Sequence, residues 1–537
     1  MIHLDARPPW AARLDDNPLS HYMNMTMIAL WGKRMVAVGL LTWAWPLLGA
    51  ADDTLLLTPQ PRQLEWTAGH FSIGPVCEIV AVGEPTAQVA RVFASELLRE
   101  CGLRANVATS SDFKGRIVLA LRQSAEGRTW LAGSPKAAAW SPERNPQDSY
   151  WLEVREDAVG ILADTPRGLL YGCQTLLQIA RAGKTAQGAV MRGVNIGDYP
   201  ELGFRAVHIC IFPNTELAAV RQAILLAARY KFNAIVLEPW ASLKSEKHPE
   251  LAYPHTYTPE QIRPLVALGQ ALQMEMIPMV NSWGHAAGMR AQSGEHVVLD
   301  RFPEKKALFE KDGWSLNLSN PQIYDYLFDR YDEMLKLFGP STRYFHVGMD
   351  EAWGHLGLED SRETRGSDPV GLLVRHLNKI HEYFAQRNIR VIMWHDMFVQ
   401  HASTRGASAK TIKTYLALEQ LAKDVIIAAW DYSVDGTWTV PKYFQDKGFS
   451  VVVSPWKRKR NTVGLVDLAK QLDLFGVLAT TWDSLDVSLP SVAQAGVLAW
   501  TAPGFDLKSI PYDHWLQELR MIPIERLPQL EATLNRD

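Results

Sequence analysis

From about residue 204 the chain alternates between short apolar runs and longer amphipathic stretches. The runs fall at 204–211, 233–239, 274–281, 343–349, 389–395, 425–431, 449–455 and 476–482, with helical patterning at 215–230, 260–273, 321–338 and 370–387 among them. The runs are apolar on both faces, as parallel strands covered by helices are. Eight such units predict a TIM barrel, an α/β fold, placed here at 196–515. Upstream the pattern changes. Residues 150–155 alternate with period two, 158–163 follow as a hairpin partner, and 115–121 read as another strand. A helical stretch runs from about Thr86 to Arg99, and Thr165-Pro166 opens a second. These elements predict a small α/β (α+β) domain over 51–195. Residues 516–537 read as a helical tail on the barrel.

A chain of 537 residues exceeds what one hydrophobic core usually supports, which agrees with two domains. The formal net charge of -3 gives no basic stripe of the kind nucleic-acid binders carry. The one dense basic run, Lys457-Arg458-Lys459-Arg460, follows a predicted strand end and reads as a solvated rim. The four cysteines have no CxxC or metal-ligand spacing and read as buried thiols, with a Cys77–Cys101 bridge as the alternative in an oxidising compartment. Residues 1–50 read as a signal peptide behind an N-terminal extension. Lys33-Arg34 precede the apolar stretch 35–48, and translation could start at Met23, Met25 or Met27. A membrane anchor is the alternative reading. No later segment reads as a membrane span. The expectation is a periplasmic or secreted protein, with a homodimer left open.

The polar chemistry gathers at the predicted strand ends. They carry Glu238-Pro239-Trp240, His285 after Trp283, Asp350-Glu351, Trp394-His395-Asp396, Trp430-Asp431-Tyr432 and Trp482-Asp483. Strand ends share one mouth in a barrel, and that is where barrel enzymes do their chemistry. Paired carboxylates beside indole rings suit the cleavage of a glycoside, because sugars present apolar faces and the reaction needs an acid and a charge stabiliser. Adjacent residues on an extended strand point to opposite sides, so Asp350 and Glu351 can flank one bond only if the backbone turns between them. Trp353 lies just past the acids, where it could shape the aglycone side. Histidines 285, 346, 355 and 395 form no His-Glu-x-x-His pattern, and no metal or cofactor is expected.

The stretch Tyr344 to Glu351, ending Gly348-Met349-Asp350-Glu351, and the segment Thr165 to Leu176 resemble glycoside hydrolase family 20, the β-N-acetylhexosaminidases. The resemblance covers about 55–515. It implies a retaining exo-enzyme acting on glycans or glycoconjugates with terminal β-linked GlcNAc or GalNAc. In that family the substrate's own 2-acetamido oxygen attacks the anomeric carbon. The implied roles are Glu351 as general acid and base and Asp350 as holder of the acetamido N–H. Tyr432 would bond the acetamido oxygen, and Trp394, Trp430 and Trp482 would form walls. His285, Asp396, Asp431 and Asp483 would contact the sugar or orient the pair. The chain departs from the best-known members on its first two strands. No arginine ends the first, and the second reads Ile235 to Trp240, which makes Glu238 a candidate for gripping sugar hydroxyls. These departures look closer to the branch that includes hexosaminidase D. The alternatives are a glycosidase for a decorated aminosugar or an internal linkage, and a weakly catalytic carbohydrate-binding protein.

Overall fold

The computed structural model describes residues 55–253, 256–286, 301–310, 313–352, 367–400 and 413–520. The proposed signal segment, Trp353 and His355 lie outside them.

The first sheet is built from β1 (Gln63–Ile73), β2 (Val76–Ala81), β3 (Arg104–Ala108), β4 (Ile117–Leu121), β5 (Tyr150–Val154), β6 (Val159–Ala163), β7 (Lys184–Thr185) and β8 (Gly188–Asp198). Its order is β1-β8-β5-β6-β4-β2-β3, with β7 on β8. Strand alternation divides its apolar residues between two cores. Ile79, Ile117, Leu119 and Ile161 join the large core that includes helices Glu84–Cys101 and Pro166–Ala182. Val80, Val118, Ala120 and Leu162 face a smaller core with Trp130, Trp140 and Trp151. The Thr165 hydroxyl caps the second helix by accepting from the Gly168 N–H at 3.1 Å, with Pro166 in the first turn. Its residues 168–180 are all buried, as expected of a helix covered on every side.

The second sheet contains β9 (Phe204–Cys210), β10 (Ala234–Glu238), β11 (Glu275–Pro278), β12 (Tyr344–His346), β13 (Arg390–Trp394), β14 (Ile426–Trp430), β15 (Ser450–Ser454) and β16 (Gly476–Ala479). All eight lie within the runs expected from the apolar pattern. Their pairings are parallel and join β16 to β9. A parallel bridge between Met279 and His346 closes the ring at β11 and β12. The apolar alternation again has two targets. Ala206, Val236, Ile277, Ile392, Ile426, Val452 and Leu478 fill the barrel interior, whereas Val207, Ile235, Phe345, Val391, Ile427 and Val477 pack with the surrounding helices.

The two units are locked at the bottom of the barrel by buried charge. Arg205, fully buried at the start of β9, donates from Nη2 to Asp148 Oδ2 at 2.8 Å. Asp148 also binds Arg167 and the Asn233 amide. Burial alone would raise its pKa, but the two guanidinium groups outweigh this and hold it below the ordinary carboxylate value. Lys231 and Asp198, both fully buried, pair at 3.0 Å. Helix Tyr512–Arg520 returns over this junction, where Glu518 meets Arg181 and Arg229.

All four cysteines are buried and free, so the alternative Cys77–Cys101 bridge is absent. In the basic run only Arg458 and Arg460 are exposed. Lys457 instead turns inward onto Asp483, which corrects its reading as a solvated residue. Among the described residues, no helix is long and apolar enough to cross a membrane, and no cluster of three His, Cys, Asp or Glu could hold a metal.

Candidate active site

The decisive local event follows β12. The strand ends at His346, and the next residues leave the extended conformation. Gly348 has φ 68°, Met349 82° and Glu351 47°. Left-handed backbone is strained for residues with a Cβ and persists only where the surroundings impose it. Here they do. The Gly348 carbonyl accepts from the Trp394 N–H at 2.9 Å. The Glu351 N–H donates to Asp396 Oδ2 at 2.9 Å, and its carbonyl accepts from Trp314 Nε1 at 3.0 Å. The turn removes the strand alternation that would have sent the two acids to opposite sides. Asp350 and Glu351 therefore line the same cavity of about 580 Å³ at the mouth of the barrel.

His285 stands between them. Its Nε2 lies 3.3 Å from Asp350 Oδ2 and 3.3 Å from Glu351 Oε2. Burial would depress the imidazole pKa, but the two carboxylates outweigh it and raise it to about 10. The two carboxylates thus hold His285 toward its cationic form. The Trp314 ring packs on it, with centroids 4.2 Å apart.

Across the cavity Trp430 stacks on Tyr432 at 5.3 Å with planes 20° apart, and Trp456 meets Tyr432 edge-on at 5.2 Å. Trp482 Nε1 donates to the Tyr432 hydroxyl oxygen at 2.7 Å. Burial pushes that phenol pKa far above its ordinary value, so the group stays a neutral O–H donor. Asp483 closes this side, paired at 2.6 Å with Lys457.

Of the residues singled out in the sequence, Asp350, Glu351, His285, Trp430, Tyr432, Trp482 and Asp483 line the cavity. Four others do not. Glu238 is only 2% exposed. It accepts from the Asn281 amide at 2.6 Å and pairs with His208 Nε2 at 2.7 Å, a buried network in place of the expected grip on sugar hydroxyls. Trp394 is fully buried among His346, His208 and Trp482, below the mouth rather than in its wall. Asp396 is also fully buried and holds the Glu351 backbone. The Asp431 carboxylate folds back onto the Ser433 N–H at 2.9 Å, a turn contact. Trp353 lies outside the described residues.

Trp314 was missed from the sequence. It sits between β11 and β12, far from any strand end, and its only signal is an indole directly after a turn glycine, Gly313. The wall made by Phe212, Ala219, Leu485 and Leu489 was also missed. Such residues carry no chemical signature.

Residues 236–458 match the description "Glycosyl hydrolase family 20, catalytic domain", and residues 54–199 match "Glycosyl hydrolase family 20, domain 2". The chain belongs to glycosyl hydrolase family 20. A β-hexosaminidase of Porphyromonas gingivalis is 22% identical over 371 residues, covering 64% of this chain and 44% of that protein. Hexosaminidase D of Bos taurus is 26% identical over 208 residues, covering 36% of this chain and 54% of its own. The chain thus spans about half the length of these relatives. A chitobiase of Flavobacterium johnsoniae shares the fold, with TM-score 0.64, 16% identity, and coverage of 90% of this chain and 73% of its own.

Proposed function

We propose that this family 20 protein is a retaining β-N-acetylhexosaminidase that uses assistance from the substrate's 2-acetamido group. The observation that carries the reading is the turn after β12. It opens both carboxylates into one aromatic-walled cavity and puts a histidine within reach of each. A second carboxylate acting as nucleophile would have to face Glu351 across the sugar. Asp350 is instead its chain neighbour and shares its histidine, which suits a partner that orients the acetamido group and offsets developing positive charge. Glu351 would protonate the leaving oxygen and then deprotonate the attacking water. The Tyr432 hydroxyl would donate to the acetamido oxygen, with Trp430 and Trp482 enclosing the group.

The test is release of 4-nitrophenol from β-GlcNAc and β-GalNAc glycosides, with NMR of the first hemiacetal formed. Expected results are the β-anomer first, a loss of roughly 10²–10⁴-fold in kcat for Glu351→Gln, and about 10²–10³-fold for Asp350→Asn. An α-anomer as first product, or full activity in either variant, would refute the mechanism. We also propose export through the segment 33–50. Amino-terminal sequencing of the mature protein tests it, and a protein that retains this segment would overturn it.

A further inference from the structure

Beneath the cavity one buried carboxylate reaches toward both halves of the site. Glu238 ends β10, and it is buried together with His208 and Asn281. Its two oxygens go separate ways. Oε1 accepts from the Asn281 amide at 2.6 Å, and Oε2 pairs with His208 Nε2 at 2.7 Å. The Asn281 side leads to the acids. Asn281 lies between Val280 and Ser282, whose N–H groups donate to the His346 and Val347 carbonyls at 3.0 Å. A Cβ added to Gly348, where the backbone first turns left-handed, would fall 2.4 Å from Asn281 Oδ1 and 3.1 Å from its Cα. The amide that Glu238 fixes therefore fills the space against which the acid turn begins. Three residues on, the same segment carries Gly284 against the Asp350 carbonyl, followed by His285. The His208 side leads to the opposite wall. Its ring lies on Trp482 with centroids 4.3 Å apart, and its carbonyl accepts from the Thr481 hydroxyl at 2.9 Å. Trp482 in turn holds the Tyr432 hydroxyl.

We propose that Glu238 is a positioning residue for hydrolysis, a single brace that sets the acid turn through Asn281 and the Trp482–Tyr432 wall through His208. The inference rests on the hexosaminidase reading above. A buried carboxylate lowers stability unless its partners are well placed. An apolar side chain of similar size would fill the space and tie neither element. A carboxylate can accept on both oxygens, and glutamine cannot. In Glu238→Gln the amide oxygen must stay with Asn281, whose Nδ2 only donates. The new NH2 then meets His208 Nε2 and drives the ring proton to Nδ1, which has no hydrogen-bond partner among the described residues.

The probes are phenyl and 4-nitrophenyl N-acetyl-β-glucosaminides and a thiazoline fused across C1 and C2 of the aminosugar, a mimic of the intermediate of acetamido attack. Phenol is the poorer leaving group, so a displaced acid penalises its glycoside more. A displaced wall weakens the thiazoline. Asn281→Ala should lower kcat/KM about ten-fold more on the phenyl than on the 4-nitrophenyl glycoside, with the thiazoline Ki nearly unchanged. His208→Phe keeps a ring against Trp482 but loses the tie to Glu238. It should raise that Ki about ten-fold and leave the ratio between the two glycosides nearly unchanged. Glu238→Gln should do both. A folded Glu238→Gln that behaves as wild type, or equal losses on the two glycosides with an unchanged Ki, overturns the inference and leaves the hydrolase reading standing. Should Glu238→Gln fail to fold, the two single-sided variants decide. A split between their readouts supports the brace, and uniform losses overturn it. No turnover by the wild-type protein overturns both.

Discussion

Gly284 lies directly beneath the turn that presents the acids, and replacing it with alanine should disable the site without touching a reacting group. A Cβ built at this position would fall 1.9 Å from the Asp350 carbonyl oxygen, 3.1 Å from its carbonyl carbon and 3.0 Å from the Ala352 nitrogen. All three are backbone atoms, so no side chain can rotate away. Restoring an ordinary contact requires the Asp350 peptide or the Gly284 strand-end segment to move by about 1.5 Å. The Asp350 peptide leads directly into the left-handed Glu351, which is held on both sides by Asp396 and Trp314. A shift of about 1 Å in a catalytic group costs on the order of 10²-fold, equivalent to about 2.7 kcal/mol of transition-state stabilisation. Gly284→Ala should therefore lose about 10²-fold or more in kcat/KM on an aryl N-acetyl-β-glucosaminide. Gly74→Ala, where the nearest atom to the added Cβ is 3.9 Å away, should not. Thermal unfolding of both variants separates a displaced site from a lost fold. A folded Gly284→Ala with activity close to wild type would refute the claim that this backbone contact sets the acids.

His285→Gln should change the pH dependence of stability. The folded-state pKa of about 10 lies above the ordinary 6.5, so the stabilisation from the charged ring is complete below about pH 6.5 and gone above about pH 10. The wild-type advantage in denaturant unfolding should shrink across that window, and a constant difference would contradict it. Asp148→Ala leaves the fully buried Arg205 without its carboxylate. Equilibrium unfolding should show a loss of roughly 3–5 kcal/mol, and a change below about 1 kcal/mol would mean that the pair does not hold the two units together.

The barrel strands were legible because each is buried on both faces and so reads as a continuous apolar run. The acid pair was legible because it follows directly behind one such run. The misplaced residues share a cause in the stagger of the barrel. Trp394 is level with Ala428 on β14, whereas Trp430 stands two residues higher and reaches the cavity. Glu238 is level with Cys210 and meets the inward-facing His208 beneath the floor. A sequence shows that a residue ends a strand but not the layer at which that strand stops. Asp396 and Asp431 were drawn in by residue type, and each serves a nearby backbone N–H instead.

By itself the sequence determined the periodicities, hence the alternating architecture, the order of the elements and the chemical types available at the mouth. These follow from local patterning of apolar and polar side chains along one dimension. Only the tertiary structure decided which of those side chains share a cavity. It set the left-handed turn that sends Asp350 and Glu351 the same way, the arrival of Trp314 from a distant segment, and the wall that Phe212, Ala219, Leu485 and Leu489 complete. Each depends on contacts between residues far apart in the chain, whose geometry is set by barrel closure and packing.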